Sequence, residues 1–409
     1  MSLITIISII LIALAIADCI TDNLPKFQND IYRLAFATTY FLFTIKYYYG
    51  PDIWSYVPLY DNMPTIVDLI TQKAHLPGRY EAGFELFLST CRSIGCSFWA
   101  MTAVISTIYF YAIQQILQFI NRRRTFALMI IVLLDCGLIY AMLRQCLSVA
   151  FFLLTIIAIQ KKHTLPAILF ALGTIAFHKS GIFIIIPTLL FVGVQQLRIS
   201  QYHFGILSLL LIALLFIPLN ELIVSTISII DLGSKTELSI THHLELGRTI
   251  QTVFILYLLA LLCLNQWTVN RDKSKIPTIQ IAAILGLTII IILYRYYYIL
   301  NRLRPFFTPI IAVYIIHKIQ YYTLSGTKLP YANLIKQAIT LFCFMFVTHT
   351  TYTFEVASRQ FNSKLYNRST VFNLLTESKA DIIQRQMSLA KLYWDKDFMA
   401  DDTNRIKPD

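Results

Sequence analysis

Charge is scarce in this chain. Of 409 residues only 14% are Asp, Glu, Lys or Arg, while 57% are hydrophobic. Together with a mean hydropathy of +0.63, that composition excludes a soluble globular domain. Other absences narrow the chemistry. The chain has no Gly-x-x-x-x-Gly-Lys loop and no Gly-x-Gly-x-x-Gly, which argues against an ATP-driven pump. Residues 1–350 hold no Asp-x-Asp pair, which argues against a transferase that grips a nucleotide-sugar through a metal. Seven cysteines fall mostly inside apolar blocks without metal-ligand spacing. Cys91 and Cys96 are near enough for a disulfide but read better as small residues at a helix start. No repeat array is present. Residues 2–17 lack a basic leader and a small-residue cleavage site, so they read as a retained first helix.

What is there is a series of continuously apolar blocks, not the alternating ten-residue strands of a β-barrel. The fold class expected is an all-α polytopic membrane protein with about twelve transmembrane helices. The blocks are 2–20, 31–49, 94–119, 126–143, 146–160, 164–178, 181–197, 203–220, 249–267, 277–294, 305–322 and 331–350. Lys26 and Arg33, Arg122-Arg123-Arg124, Lys161-Lys162, Arg198, Arg271 with Lys273 and Lys275, and Lys318 with Lys328 fall on alternate connections. The positive-inside bias makes those connections cytoplasmic and puts both chain ends outside. The same bias accounts for the net charge of +12 without nucleic acid.

The stretch 140–187 organises the rest. Arg144 and His178 lie at the two ends of a helical hairpin whose turn carries Lys161-Lys162, so they return to one face, the outer one. Lys46, Arg79, Arg92, Lys179, Arg248, Arg295, Arg302 and Arg304 join them there, against the bias. An anionic ligand is the reading that explains the whole cluster; snorkelling to lipid phosphate, common for single residues, is the alternative. Arg302 and Arg304, just before Pro305 at an expected helix start, are the best pyrophosphate candidates from physics alone. The connection 50–92 mixes acids with Tyr and Trp, as an ordered carbohydrate groove does and as an interfacial aromatic belt also does. His242-His243-x-Glu245 lacks the spacing of a metal site. From Thr351 the composition changes to ordinary charge density with an amphipathic stretch near 372–394. That divides the chain into a transmembrane domain, 1–350, and a tail, 351–409.

Several motifs resemble those of the EpsG family of bacterial polysaccharide-biosynthesis membrane proteins, which are Wzy-like polymerases. The family's Arg-x-x-x-Gly-Thr-Asp-x-x-x-Tyr is similar to Lys46-Tyr47-Tyr48-Tyr49-Gly50-Pro51-Asp52-Ile53-Trp54-Ser55-Tyr56. Glu81-Ala82-Gly83-Phe84-Glu85-Leu86, Arg144-Gln145, Phe177-His178-Lys179-Ser180 and Arg302 to Phe306 follow in the family's order across about 30–320. Lys46 replaces an arginine and loses its bidentate fork; Pro51 replaces a threonine and loses its hydroxyl. The tail from Thr351 lies outside the resemblance.

The resemblance implies a GT-C-like glycosyltransferase that joins oligosaccharide repeat units on polyprenyl diphosphate, at the outer face of the bacterial cytoplasmic membrane. The product is then capsule, exopolysaccharide or O-antigen. Partners on this reading are the lipid-linked oligosaccharide, membrane lipid, a flippase and a chain-length regulator, with no cofactor or metal. Cations are needed where the diphosphate leaves: Arg144, Arg302 and Arg304, then Lys46 and Arg248. Asp52, Glu85, Glu81 and His178 are the base candidates for the acceptor hydroxyl. Tyr56, Glu81 and Gln145 are expected on the substrate. A lipid-linked oligosaccharide flippase, a ligase that transfers finished glycan and a membrane acyltransferase are the competing functions.

Overall fold

A computed structural model describes residues 3–21, 24–47, 52–194, 277–293, 297–324, 375 and 377–384. The elements are helices: α1 Leu3–Ile20, α2 Pro25–Thr44, α3 Ile53–Asp61, α4 Ile66–Ile70, α5 Ala82–Ser93, α6 Phe98–Leu117, α7 Arg124–Ala141, α8 Leu143–Gln160, α9 Thr164–Phe177, α10 Ser180–Val194, α11 Pro277–Ile292 and α12 Tyr297–Leu324. Nine of the twelve expected apolar blocks fall on these helices; 203–220, 249–267 and 331–350 lie outside the described residues. Among the described residues, α6 and α8 alone are long and apolar enough to cross a membrane by length and composition. Shorter apolar helices include 164–177 in α9 and 278–291 in α11.

The hub is α8. It packs against α6, α7, α9, α11 and α12, and most of its side chains are buried. Its close approach to α9 depends on Gly173, where a Cβ would meet Phe151 Cδ1 at 2.5 Å. The outer surface of α9 is the reverse: Leu165, Ile168, Leu169 and Leu172 are exposed at i, i+3, i+4, i+7 spacing. Phe183, Ile186 and Leu190 continue that surface on α10. Unpaired apolar stripes of this extent are what a bilayer covers.

Two helix starts differ most from the sequence reading. The second helix starts at Pro25, because proline at the first helical turn forfeits only an N–H that has no partner there. Helix α12 starts at Tyr297, two turns before Pro305, so Arg302 and Arg304 lie inside it instead of opening it. Within α7 the backbone leaves helical geometry at Asp135 (φ −111°, ψ 16°). Only Met142 separates α7 from α8. At the far end of the bundle the helix starts are tied by side chains. Asp18 Oδ2 accepts from Thr125 N at 3.1 Å, and Gln160 Oε1 accepts from Thr278 N at 2.9 Å. Arg122–Arg124 and Lys161-Lys162 also sit at that end, roughly 27 Å from Arg144 along an 18-residue helix.

The long connection before α6 is ordered by its own hydrogen bonds. Thr65 and Asp68 form a reciprocal capping box on α4. Ser89 Oγ donates to Pro64 O at 2.7 Å, and Tyr60 OH donates to Cys96 O at 2.6 Å. Cys91 and Cys96 are free thiols. Gly83 presses α5 onto the end of α9, where a Cβ would stand 2.6 Å from Ala176 O. That contact delivers the start of α5 to the polar end of the bundle.

Candidate functional site

Arg144, in the first turn of α8, is the centre of a polar cluster. Its Nη1 donates to Glu81 Oε2 at 2.6 Å and its Nε to Tyr56 OH at 3.2 Å. Its guanidinium carbon lies 4.1 Å from the Tyr80 ring centroid, a cation–π contact. Two of five N–H groups are therefore engaged by described residues, and the fork is held on three sides. Glu81, which precedes α5, uses its other oxygen to accept from Lys179 N at 3.1 Å. One carboxylate thus joins α5, α8 and the α9–α10 turn. Burial raises the Glu81 pKa, but Arg144 and the Lys179 N–H outweigh it and keep the group an anion.

His178 stands in that turn with an extended backbone, nearly buried. Its Nδ1 accepts from Ser180 N at 3.2 Å and lies 2.7 Å from Ser180 Oγ. In the neutral ring the proton then resides on Nε2, which makes His178 a hydrogen-bond donor. Burial pushes its pKa down, with Arg144 and Arg302 acting the same way against Glu81, so the ring is neutral at pH 7.

Asp52, at the start of α3, completes the cluster. Burial raises its pKa to about 6, against the pull of Arg144 and Arg302, whose charges both reach it. Tyr56, one turn later, is held protonated by burial and by Asp52. Because Arg144 donates to the Tyr56 oxygen, the phenolic hydrogen is available to another acceptor. Arg302 is exposed, and its backbone carbonyl accepts from Gln145 Nε2.

The structure therefore brings together Asp52, Tyr56, Glu81, Arg144, His178 and Arg302, with Gln145 holding the backbone of the last. It does not bring Lys46, Glu85 or Arg304 to the same surface. Lys46, 1% exposed, donates from Nζ to Ile139 O at 2.6 Å, one layer beneath. Glu85, also 1% exposed, accepts from Gly78 N at 2.9 Å and Tyr80 N at 2.8 Å. It fixes a turn in which Gly78 has φ +65°, the left-handed conformation that favours glycine. Arg304 points into the bundle and donates from Nη2 to Leu134 O at 2.8 Å. Arg248 and His242-His243-x-Glu245 lie outside the described residues. Among the described residues no three His, Cys, Asp or Glu side chains gather as a metal site.

Tyr80 and Ser180 carry roles the sequence reading missed. Tyr80 stacks on Arg144 and reaches Ser55 Oγ at 3.3 Å, and its sequence signal was an aromatic directly preceding Glu81. Ser180 sets the His178 tautomer, and its signal was the serine two residues after a histidine at a helix end.

Fold and site together define a class: a helical membrane protein with an arginine–carboxylate cluster at one end of its bundle. Residues 31–366 match the EpsG family, most of the chain, and the protein belongs to that family. The match runs past Thr351, where the composition changes. Membership ties the protein to polysaccharide biosynthesis. No curated protein and no solved structure matches the chain.

Proposed function

We propose that this protein polymerises polyprenyl-diphosphate-linked oligosaccharide repeat units at the outer face of the cytoplasmic membrane. The observation that carries the reading is a carboxyl of raised pKa, Asp52, lying in the field of Arg144 and Arg302 beside Tyr56 and Tyr80. A glycosyl transfer from a diphosphate needs that combination: a base for one oxygen and cations for another.

In the step proposed, an acceptor sugar hydroxyl attacks the anomeric carbon. The new C–O bond forms as the bond to the diphosphate oxygen breaks, and the diphosphate leaves with the electron pair. Asp52 takes the hydroxyl proton. Arg302 and the unengaged N–H groups of Arg144 meet the leaving oxygens, with His178 Nε2–H as a neutral donor. Tyr56 and Tyr80 offer ring faces to the sugar and Tyr56 a phenolic hydrogen. Glu81 locks Arg144 in orientation. Glu85, Gln145, Lys46 and Arg304 act as positioning groups behind this surface.

The test is glycan length in cells carrying Arg144→Ala, Arg302→Ala or Asp52→Asn, with membrane level checked. Loss of polymer with single lipid-linked repeats persisting on the outer leaflet supports polymerisation. Repeats stranded on the inner leaflet would make the protein a flippase. Full-length polymer that is not transferred to its final acceptor would make it a ligase.

A further inference from the structure

The described part of the tail is anchored in the apolar core and brings Lys379 close to Asp61, in the connection that carries part of the site. Ser378 Oγ accepts from Asp381 N at 3.1 Å and donates to Asp381 Oδ2 at 2.6 Å, starting a helical turn. From that turn Ile382 enters the apolar core with no exposed surface, and Ile383 packs partly against it. Lys379 stands close enough to Asp61 to oppose the rise that burial imposes on the Asp61 pKa.

Asp61 is the last residue of α3. Its carbonyl and that of Tyr60 both accept from Arg92 Nη1, near the end of α5. The tail thus comes close to the end of α3 that Arg92 of α5 also holds, remote from the site. The other ends of α3 and α5 begin at Asp52 and Glu81. The nine residues of α3 span roughly 13 Å, so a constraint at Asp61 bears on the direction of Asp52 and Tyr56 through one short helix that contains Pro58.

We propose that residues 377–384 are an intramolecular clamp on the α3–α5 unit. The segment follows the family match, which ends at residue 366. It is a positioning element, not part of the reacting surface, and it puts the tail on the same side of the membrane as the site. Its effect on glycan rests on the polymerase reading above; its docking and its side do not.

The experiment uses the full chain in lipid nanodiscs and in cells. In Ile382→Asp, amide hydrogen exchange over 53–61 and 82–93 should speed by about tenfold or more, with α8 unchanged. Ile382→Ala should give a smaller change of the same pattern and keeps the test alive if the Asp variant fails to accumulate. Lys379→Glu should speed exchange there slightly, and Lys379→Glu with Asp61→Lys should restore it. A membrane-impermeant maleimide added to intact spheroplasts should label Lys379→Cys. In cells, Ile382→Asp should shorten or abolish polymer while single repeats persist. Unchanged exchange in 53–61, or labelling of Lys379→Cys only after lysis, overturns the docking. Faster exchange with normal glycan length overturns the positioning role. Arg144→Ala, made in parallel, reports separately on the polymerase reading.

Discussion

Arg302 and Arg304 are two residues apart on α12, yet they belong to different regions. Two helical residues differ by about 200° around the axis, so one side chain is exposed at the cluster and the other faces the bundle. Around Arg302 the polar groups are shared between several elements and still have capacity for a ligand. Around Arg304 they are buried. Its Nη2 takes the Leu134 carbonyl beside the kink at Asp135, and its charge faces that carboxylate. Thr308, one turn after Arg304, is the other polar side chain that reaches Asp135. The comparison teaches that a cation near the membrane surface is a site candidate only if its helical face reaches the surface. The inner layer holds helices together; the outer one is the surface proposed to meet substrate.

The largest effect that would break this distinction concerns the inner layer. Arg304→Ala leaves Asp135 uncompensated in an apolar surrounding and should cost about 3–5 kcal/mol of stability. It would be seen as lost membrane accumulation and a lower unfolding temperature in detergent, with Arg304→Ala plus Asp135→Asn recovering much of the loss. A poorly folded Arg304→Ala contrasts with Arg302→Ala, which should accumulate normally. In polymerisation from purified lipid-linked repeats, Arg302→Ala should be slower by on the order of a hundredfold. Equal accumulation of both variants would erase the distinction drawn here.

Two smaller effects sharpen the picture of the outer cluster. Gly83→Ala forces a methyl group toward the Ala176 carbonyl and should separate α5 from α9. A cost of about 1–3 kcal/mol follows from overpacking, with weakening of the Glu81–Lys179 contact seen as faster exchange at Lys179 N–H. The pH profile should be gentler still. In the proposed step Asp52 is a base only when ionised, and its raised pKa of about 6 puts the change in an accessible range. Activity should hold above pH 7 and fall as pH drops through 6, approaching tenfold per unit below it. His178 has a lowered pKa and should add no second limb near pH 6.5. His178→Gln, which keeps an N–H donor, should retain more activity than His178→Ala.

Much of the candidate site's grouping was legible in the sequence. Arg144 and His178 belong to the two ends of a hairpin, and apolar block lengths alone return them to one face. The acids of the 50–92 connection were marked by their aromatic neighbours. Block lengths also gave the helical class, because backbone groups in an apolar medium must be satisfied within the helix. Local sequence did not reveal which charged residues would be consumed internally. Lys46 resembled a ligand-binding cation by its motif, and only packing shows its ammonium spent on Ile139 O. Glu85 resembled a base, and only the turn at Gly78 shows both oxygens taken by backbone amides.

Sequence alone determined the apolar helices, the uneven placement of charge along them and the family pattern, because those depend on composition and spacing within a segment. Tertiary structure decided the partners. Hydrogen bonds such as Arg144 to Glu81, Gln145 to Arg302 and Ser89 to Pro64 depend on helix rotation and on close approach at Gly83 and Gly173. Those quantities are set by how all the neighbouring faces fit at once, and no single segment of the chain contains them.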